Sequence, residues 1–140
     1  ILAICAVVVV PHVIRGADMQ ATAAARMLAT DLQYAQDYAI TTQDPVTVTF
    51  DISGGSYDLS NASGTLIHPM TKSAYQVDFS TDSGFEQVQL VSADFGGAAT
   101  VTFDEIGSPD NAGNVVLQAG DYGYRVDVAA ATGKVTVARQ

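Results

Sequence analysis

The feature that constrains this chain most is an apolar run at its start. Residues 1–14 include twelve apolar residues, and no charged residue occurs before Arg15. A helix needs about 20 apolar residues to cross a bilayer, so this run alone is too short to span one. It also lacks the basic n-region and initiating Met of a signal peptide. We predict that it is the second half of a longer hydrophobic helix, which about ten more apolar residues upstream would complete. The alternative is a buried strand or core helix, because short apolar runs are ambiguous.

Composition argues against catalysis and against nucleic acid. The 140 residues suit one domain with a real core, and 6 Lys+Arg against 15 Asp+Glu give a net charge of −9. That charge disfavours nucleic acid or an anionic membrane surface as an electrostatic partner. A single cysteine excludes an intrachain disulfide and a Cys-rich zinc site. No G-x-S-x-G nucleophile elbow and no phosphate-binding Gly loop occurs. We therefore predict a non-enzymatic chain without catalytic residues, cofactor or metal.

The few reactive side chains have simple structural interpretations. Cys5 lies inside the apolar run and is expected to act as a small buried hydrophobe. His12 follows Pro11 and is interpreted as a surface or interface residue. His68 has no acidic or Cys neighbour in sequence, so we expect it to be simply exposed.

Residues 18–40 predict an amphipathic helix, because they are rich in Ala, Met, Leu and Gln. Apolar residues recur at steps of 4, 4, 3 and 4 on one face: Ala24, Leu28, Leu32, Ala35 and Ala39. We expect Leu28, Leu32, Ala35 and Ala39 to dock this helix on a sheet. We predict that Asp31 and Asp37 lie off this apolar stripe.

The boundaries of this helix are marked by helix-breaking residues. Pro11 and Gly16, preceded by four valines, predict a kink near Pro11. Asp44-Pro45 ends the helix. The chain thus divides into the second half of a hydrophobic transmembrane-type helix (1–16), an amphipathic helix (17–43) and a β-rich globular domain (44–140).

After Pro45 the hydrophobic period changes to two. Val46, Val48 and Phe50 alternate with polar residues, and a Gly-rich turn follows. Further strands are predicted at 57–59, 75–79, 88–91, 100–103, 115–118, 124–129 and 134–138. Residues 61–73 and 107–114 are predicted to be loops. A long helix followed by antiparallel strands defines an α+β class.

Three stretches of the sequence resemble type IV pilin-like proteins with a GspH/FimT-type pseudopilin domain. ILAICAVVVVP (1–11) is similar to the second half of the family's hydrophobic helix, with Pro11 at its kinking proline. Residues 26–50 resemble the family's passage from helix to first strand. TFDEIG (102–107), NVVLQAG (114–120) and YRVDVAAATGKVTV (124–137) resemble its closing strands. The resemblance implies a kinked N-terminal helix packed on a C-terminal antiparallel β-rich domain.

The resemblance also implies a function. Family members begin with a processed, N-methylated aromatic residue, and most carry a glutamate a few positions later; the resemblance alone implies both in the parent protein, upstream of Ile1. They are cleaved by a prepilin peptidase at the bacterial inner membrane and then form an extracellular or periplasm-spanning filament. We therefore expect a structural subunit that polymerises with copies of itself, together with pilus or type II secretion assembly machinery. The expected filament-core residues are Ile1, Ile4, Val7, Val8, Pro11 and Ile14. The alternatives are a minor pseudopilin of a type II secretion pseudopilus and a FimT-like DNA-uptake pilin.

Two further features, an oxygen-rich cluster around Gly107 and the C-terminal cations, are candidate binding sites. Oxygen-bearing side chains cluster around Gly107, and some related pseudopilins use calcium near this point; the candidate ligands are Asp104, Glu105, Asp110 and Asn111. The same composition is ordinary in turns, and EF-hand spacing is absent. Some FimT-like members bind DNA through C-terminal arginines, but this tail offers Lys134 and Arg139 only. DNA uptake is therefore disfavoured.

Overall fold

The computed structural model describes residues 16–81 and 84–140. Within them one helix, α1 (Gly16–Thr42), lies against two antiparallel sheets. The strands are β1 (Val46–Asp51), β2 (Ser56–Asn61), β3 (Gly64–Thr65), β4 (Gln76–Asp78), β5 (Val88–Phe95), β6 (Thr100–Phe103), β7 (Gly113–Ala119), β8 (Tyr122–Val128) and β9 (Val135–Arg139). The α+β class predicted from sequence is confirmed. The apolar run and the kink near Pro11 lie outside the described residues.

The end of α1 follows from its local sequence. Gln43, the residue after the helix, has a φ of 56°, and its Nε2 donates to the carbonyl of Ile40 at 2.7 Å. Asp44 N donates to the carbonyl of Ala39 at 3.2 Å. These bonds satisfy two carbonyls of the last turn, and Pro45 then prevents continuation. Gly16, predicted to lie in the junction, is the first residue of α1.

The first sheet has the order β3-β2-β1-β6, and β4 also pairs with β2. β2 pairs with β1 along one edge, while β3 and β4 share its other edge, at residues 60–61 and 56–58 respectively. The second sheet has the order β5-β7-β8-β9, with a bulge in β5 between Leu90 and Ser92. The two sheets together form the surface on which α1 rests.

Two segments predicted to be loops take part in sheet pairing. Residues 61–73 contain β3, and Ile67 forms an antiparallel bridge with Ala74. β7 begins at Gly113, inside the predicted loop 107–114. Neither segment alternates apolar and polar residues over the length of a strand, because only a few of its residues pair, at a sheet edge or at a strand end. Periodicity therefore gave no signal there.

The core lies between α1 and the inner faces of the sheets. Leu28 and Leu32 of the helix and Val46 and Val48 of β1 are fully buried. Apolar burial contributes about 25 cal/mol per Å², so this layer supplies the main stabilising free energy of the domain. No helix within residues 16–81 and 84–140 is long and apolar enough to cross a membrane.

Candidate functional site

The helix α1 presents two different faces. Its inner face is fully buried and includes all four residues expected to dock it: Leu28, Leu32, Ala35 and Ala39. Its outer face is a stripe of exposed residues at steps of three and four: Met19, Ala23, Arg26, Thr30, Gln33, Asp37 and Ile40. Met19 is 65% exposed and Ile40 is 42% exposed, so large apolar side chains stand at both ends of this stripe. This outer face is the part of α1 that the sheets leave uncovered.

Asp31 is the one buried charged side chain among the described residues, with 5% exposure. Tyr57 donates its hydroxyl to Oδ2 of Asp31, and Tyr75 donates to Oδ1, each at 2.5 Å. Tyr57 comes from β2 and Tyr75 lies just before β4. The carboxylate therefore joins the middle of α1 to two parts of the first sheet.

The electrostatics of this cluster follow from burial. Loss of solvent raises the pKa of Asp31 above its ordinary value, against the lowering effect of the hydrogen bonds from Tyr57 and Tyr75 and of nearby His68. Burial likewise raises the pKa of Tyr75, and its bond to Asp31 adds to that rise. Tyr75 therefore remains a hydrogen-bond donor throughout the physiological range.

The prediction that placed Asp31 off the buried stripe was wrong. Asp31 lies three residues after Leu28 and four before Ala35, so helical spacing puts it beside the stripe. Its charge argued for solvent, because an unpaired buried carboxylate is costly. The two tyrosine hydroxyls offset part of that cost. Asp37, placed off the stripe with it, is exposed.

The expectation that His68 is simply exposed was also wrong. Its ring is half-buried, with its centroid 4.5 Å from that of Tyr75. Its Nδ1 accepts hydrogen bonds from Met70 N at 3.1 Å and Thr71 N at 3.4 Å. His68 therefore organises the segment that follows it, and sequence alone did not show this because its partners are backbone groups and an aromatic ring.

Polar contacts also tie both ends of α1 to the sheets. Near its start, Tyr124 donates to Asp18 Oδ1 and accepts from Thr22 Oγ1, each at 2.8 Å. Near its end, Gln36 Nε2 donates to the carbonyls of Gly107 and Thr132, each at 2.8 Å. The helix is therefore held to the sheets along its length.

The candidate calcium residues are engaged in turns. Asp104 Oδ1 accepts from the backbone N of Ile106 at 3.1 Å and of Ser108 at 2.9 Å. Asp110 Oδ1 accepts from the backbone N of Thr102 at 3.1 Å and of Asn111 at 2.9 Å. Glu105 is exposed. Throughout residues 16–81 and 84–140, no group of three or more His, Cys, Asp and Glu side chains is placed to hold a metal ion.

The C-terminal cations are dispersed. Lys134 is exposed, and the guanidinium of Arg139 lies 5.5 Å from the ring centroid of Tyr122. Arg125 is paired with Asp127 at 3.0 Å. The expected filament-core residues lie outside the described part of the chain, as do Cys5 and His12: Ile1, Ile4, Val7, Val8, Pro11 and Ile14.

One helix on two antiparallel sheets is an arrangement shared with solved structures. The minor pseudopilin EpsH from the type 2 secretion system of Vibrio cholerae superposes with a TM-score of 0.66 at 16% identity, over 86% of this chain and 97% of that one. The type IV minor pilin FimU of Pseudomonas aeruginosa PAO1 gives a TM-score of 0.62 at 19% identity, over 86% of this chain and 90% of that one. A comparison with curated protein sequences finds no match. The fold is that of a type IV pilin-like subunit.

Sequence comparison makes the assignment more specific. The model of the family described as type II transport protein GspH matches residues 24–132. The chain belongs to this family, which confirms the resemblance found in the sequence. It is a structural pilin-like subunit and not an enzyme. Pseudopilins of the family are anchored in the inner membrane and assemble into a pseudopilus with secretion machinery.

Proposed function

We propose that this chain is a repeating structural subunit of a pilus-like filament, which it joins through its N-terminal apolar helix. The observation that carries the proposal is the pair of faces on α1. The inner face is closed by the sheets, whereas the outer stripe from Met19 to Ile40 is exposed. The apolar run at residues 1–14 directly precedes this helix in sequence. A neighbouring helix would bury both, and apolar burial would hold the filament together.

In this proposal the subunit resides in the bacterial inner membrane before assembly. It then enters an extracellular or periplasm-spanning filament with its helices inside and its sheets outside. With a net charge of −9, such a filament would have an acidic exterior, which favours its solubility. Ile1, Ile4, Val7, Val8, Pro11 and Ile14 form the filament core. Pilus or type II secretion assembly machinery is the expected partner, and nucleic acid is not.

A minor pseudopilin of a type II secretion pseudopilus is the second candidate. The GspH family match favours it, as does the likeness of the fold to a minor pseudopilin and a minor pilin. The two candidates differ in copy number. A minor subunit occupies few positions, whereas a repeating subunit occupies the whole filament length.

Immunogold electron microscopy distinguishes the candidates. An epitope inserted after Ala62, in the exposed turn between β2 and β3, labels the chain without entering the core. Repeated labelling along filaments is the expected result. Labelling confined to one end would support the minor pseudopilin, and filaments that never contain the chain would overturn both candidates. An untagged strain is the control for background labelling.

A further inference from the structure

A short ordered segment carries two of the most exposed apolar side chains in the described chain. Residues 67–72, here called the knob, follow β3 and hold Ile67, 60% exposed, and Met70, 84% exposed. Water contact with apolar groups of this size is unfavourable unless a partner covers them. The knob is therefore a candidate interaction surface.

The knob is not a loose loop. His68 N donates to the carbonyl of Ser73 at 2.8 Å, and Lys72 N donates to the carbonyl of His68 at 2.9 Å. Below it, the His68 ring packs on Tyr75, whose hydroxyl bonds to buried Asp31. Met70 is thus presented by a segment anchored to α1. A preorganised segment loses little conformational entropy when it binds.

A complementary groove lies elsewhere on the same molecule. It has a volume of about 310 Å³ and runs between the turn after β1, the end of the β4 segment, and β5. Phe79, Val88 and Leu90 form its floor and are nearly fully buried, Ile52 adds a half-buried apolar side chain, and Glu86 lines it with an exposed carboxylate. The backbone N of Gly84 donates to Glu86 Oε2 at 3.1 Å, and backbone hydrogen bonds hold the pKa of Glu86 below its ordinary value. The groove therefore combines a small apolar floor with polar walls and a negative charge.

The charges of the two surfaces are opposite. Lys72, in the knob, is the single Lys or Arg between Arg26 and Arg125 in the sequence. Copies of a chain with a net charge of −9 repel one another unless a positive group meets a negative one at their contact. Lys72 and Glu86 supply such a pair.

The two surfaces lie at different heights along α1. Gln87 N, beside the groove, donates to Oε1 of Gln20 at 3.0 Å. The Tyr75 ring, below the knob, lies 5.1 Å from the ring of Tyr34. Fourteen helical residues separate Gln20 from Tyr34, which corresponds to about 21 Å along the axis. A knob and groove separated in this way can repeat from one copy to the next in the direction of the helix, as a head-to-tail contact does.

We propose that the knob of one copy inserts into the groove of a second copy, with Met70 in the groove and Lys72 paired with Glu86. This inference rests on the proposed function, because a repeating subunit is needed for the contact to propagate. Each copy uses a different surface toward each neighbour, so the contact is heterologous and builds an open chain. It would lock the outer sheets together, in addition to the packing of the helices inside.

Cysteine crosslinking of assembled full-length chain tests the contact. In a Cys5→Ser background, the double variant Met70→Cys, Gln89→Cys places one thiol in the knob and one on an exposed residue lining the groove. Mild oxidation of filaments is expected to give a ladder of dimers, trimers and longer products, since a disulfide forms when the Cα atoms come within about 7 Å. Each single variant is expected to give no ladder.

The matched control is Ile106→Cys, Gln89→Cys, since Ile106 is 80% exposed but lies outside the knob. Filaments that form normally and give no ladder with the knob pair, or the same ladder with the control pair, would overturn the inference and leave the proposed function standing. A wild-type chain that enters no filament would overturn the proposed function and the inference with it.

A charge exchange gives a second, independent readout. Lys72→Glu or Glu86→Lys replaces an attractive pair with a repulsive one, and each is expected to lower the crosslinking yield by about fivefold. The combined variant Lys72→Glu, Glu86→Lys restores opposite charges and is expected to recover the yield. Equal yields in all four chains would show that Lys72 and Glu86 do not meet.

Discussion

The hydroxyl of Tyr75 donates a hydrogen bond of 2.5 Å to Oδ1 of Asp31, a residue 44 positions earlier in the chain. This bond connects the knob region to the middle of α1, and Tyr57 completes the pairing from β2. Both oxygens of this buried carboxylate accept hydrogen bonds, so Asp31 holds α1 to two parts of the first sheet.

Deleting residues 1–16 should leave a soluble, folded monomer. The buried core begins at Ala21, and the deletion removes only the first residue of α1. Circular dichroism should show mixed helix and strand signals with a cooperative thermal transition, and sedimentation should give a monomer. An unfolded truncated chain would show that the apolar run is part of the domain core.

Replacing Tyr75 with Phe should lower the free energy of unfolding of this truncated chain by about 1–3 kcal/mol. The change removes one donor and leaves a buried, charged oxygen poorly satisfied. Urea denaturation measures the loss. Tyr34→Phe is the matched control, since Tyr34 also packs on Tyr75 but is not a donor to Asp31, and it should cost less.

The stability of the truncated chain should depend on pH through Asp31 in a defined direction. Burial raises the pKa of Asp31 in the folded state, so the folded chain holds this proton more tightly than the unfolded chain. The stability linked to this proton is fully present below the unfolded pKa of about 3.9 and is lost as the pH rises through the higher folded pKa.

Comparing the truncated chain with its Asp31→Asn variant isolates that dependence. All other carboxylates are common to both chains, so their contributions to the pH profile cancel in the difference. The wild-type chain should lose stability relative to Asp31→Asn as the pH rises above about 4. Urea denaturation between pH 3 and pH 7, on the order of eight points, measures the difference. Parallel profiles would mean that Asp31 titrates as it does in an unfolded chain.

Leu28→Ala should destabilise the domain by about 2–5 kcal/mol, because it opens a cavity under the helix. Leu28 is fully buried between α1 and the sheets. Met19→Ala is the control on the outer face, where the side chain is 65% exposed, and it should change the unfolding free energy by less than about 0.5 kcal/mol. Similar losses for the two variants would contradict the assignment of the two faces.

Val8→Asp should abolish filament assembly while the β domain remains folded. If Val8 lies in a filament core, each copy would bury an unpaired charge at a cost of several kcal/mol. Electron microscopy of cell-surface filaments and circular dichroism of the purified domain measure the two outcomes. Val8→Leu keeps the site apolar and should assemble. Normal filaments built of the Val8→Asp chain would show that Val8 does not lie in the filament core.

Local periodicity accounts for what the sequence could predict. Two local patterns could be read from the sequence because each depends only on residues within one element. They are the helical spacing of Leu28, Leu32 and Ala35 and the alternation of Val46 and Val48 with polar residues. Burial of Asp31 depends on donors from positions 57 and 75, which only the tertiary fold brings close. The paired segment from β3 to Ala74 includes Leu66, Ile67 and Met70, but these apolar residues do not alternate regularly with polar ones, so no strand period could be read there.

The ties at the two ends of α1 have a mechanical consequence. Tyr124 fastens the second sheet to the start of the helix, and Gln36 fastens the helix end to the loops at Gly107 and Thr132. A force applied along the helix axis would act at the same time on these hydrogen bonds and on the buried packing between α1 and the sheets. The contacts would therefore have to break together and not one after another. Resistance to forced unfolding depends on the unfolding rate, which falls when many contacts must break together. Tension carried by a helix would thus be shared with the sheets before any single bond yields.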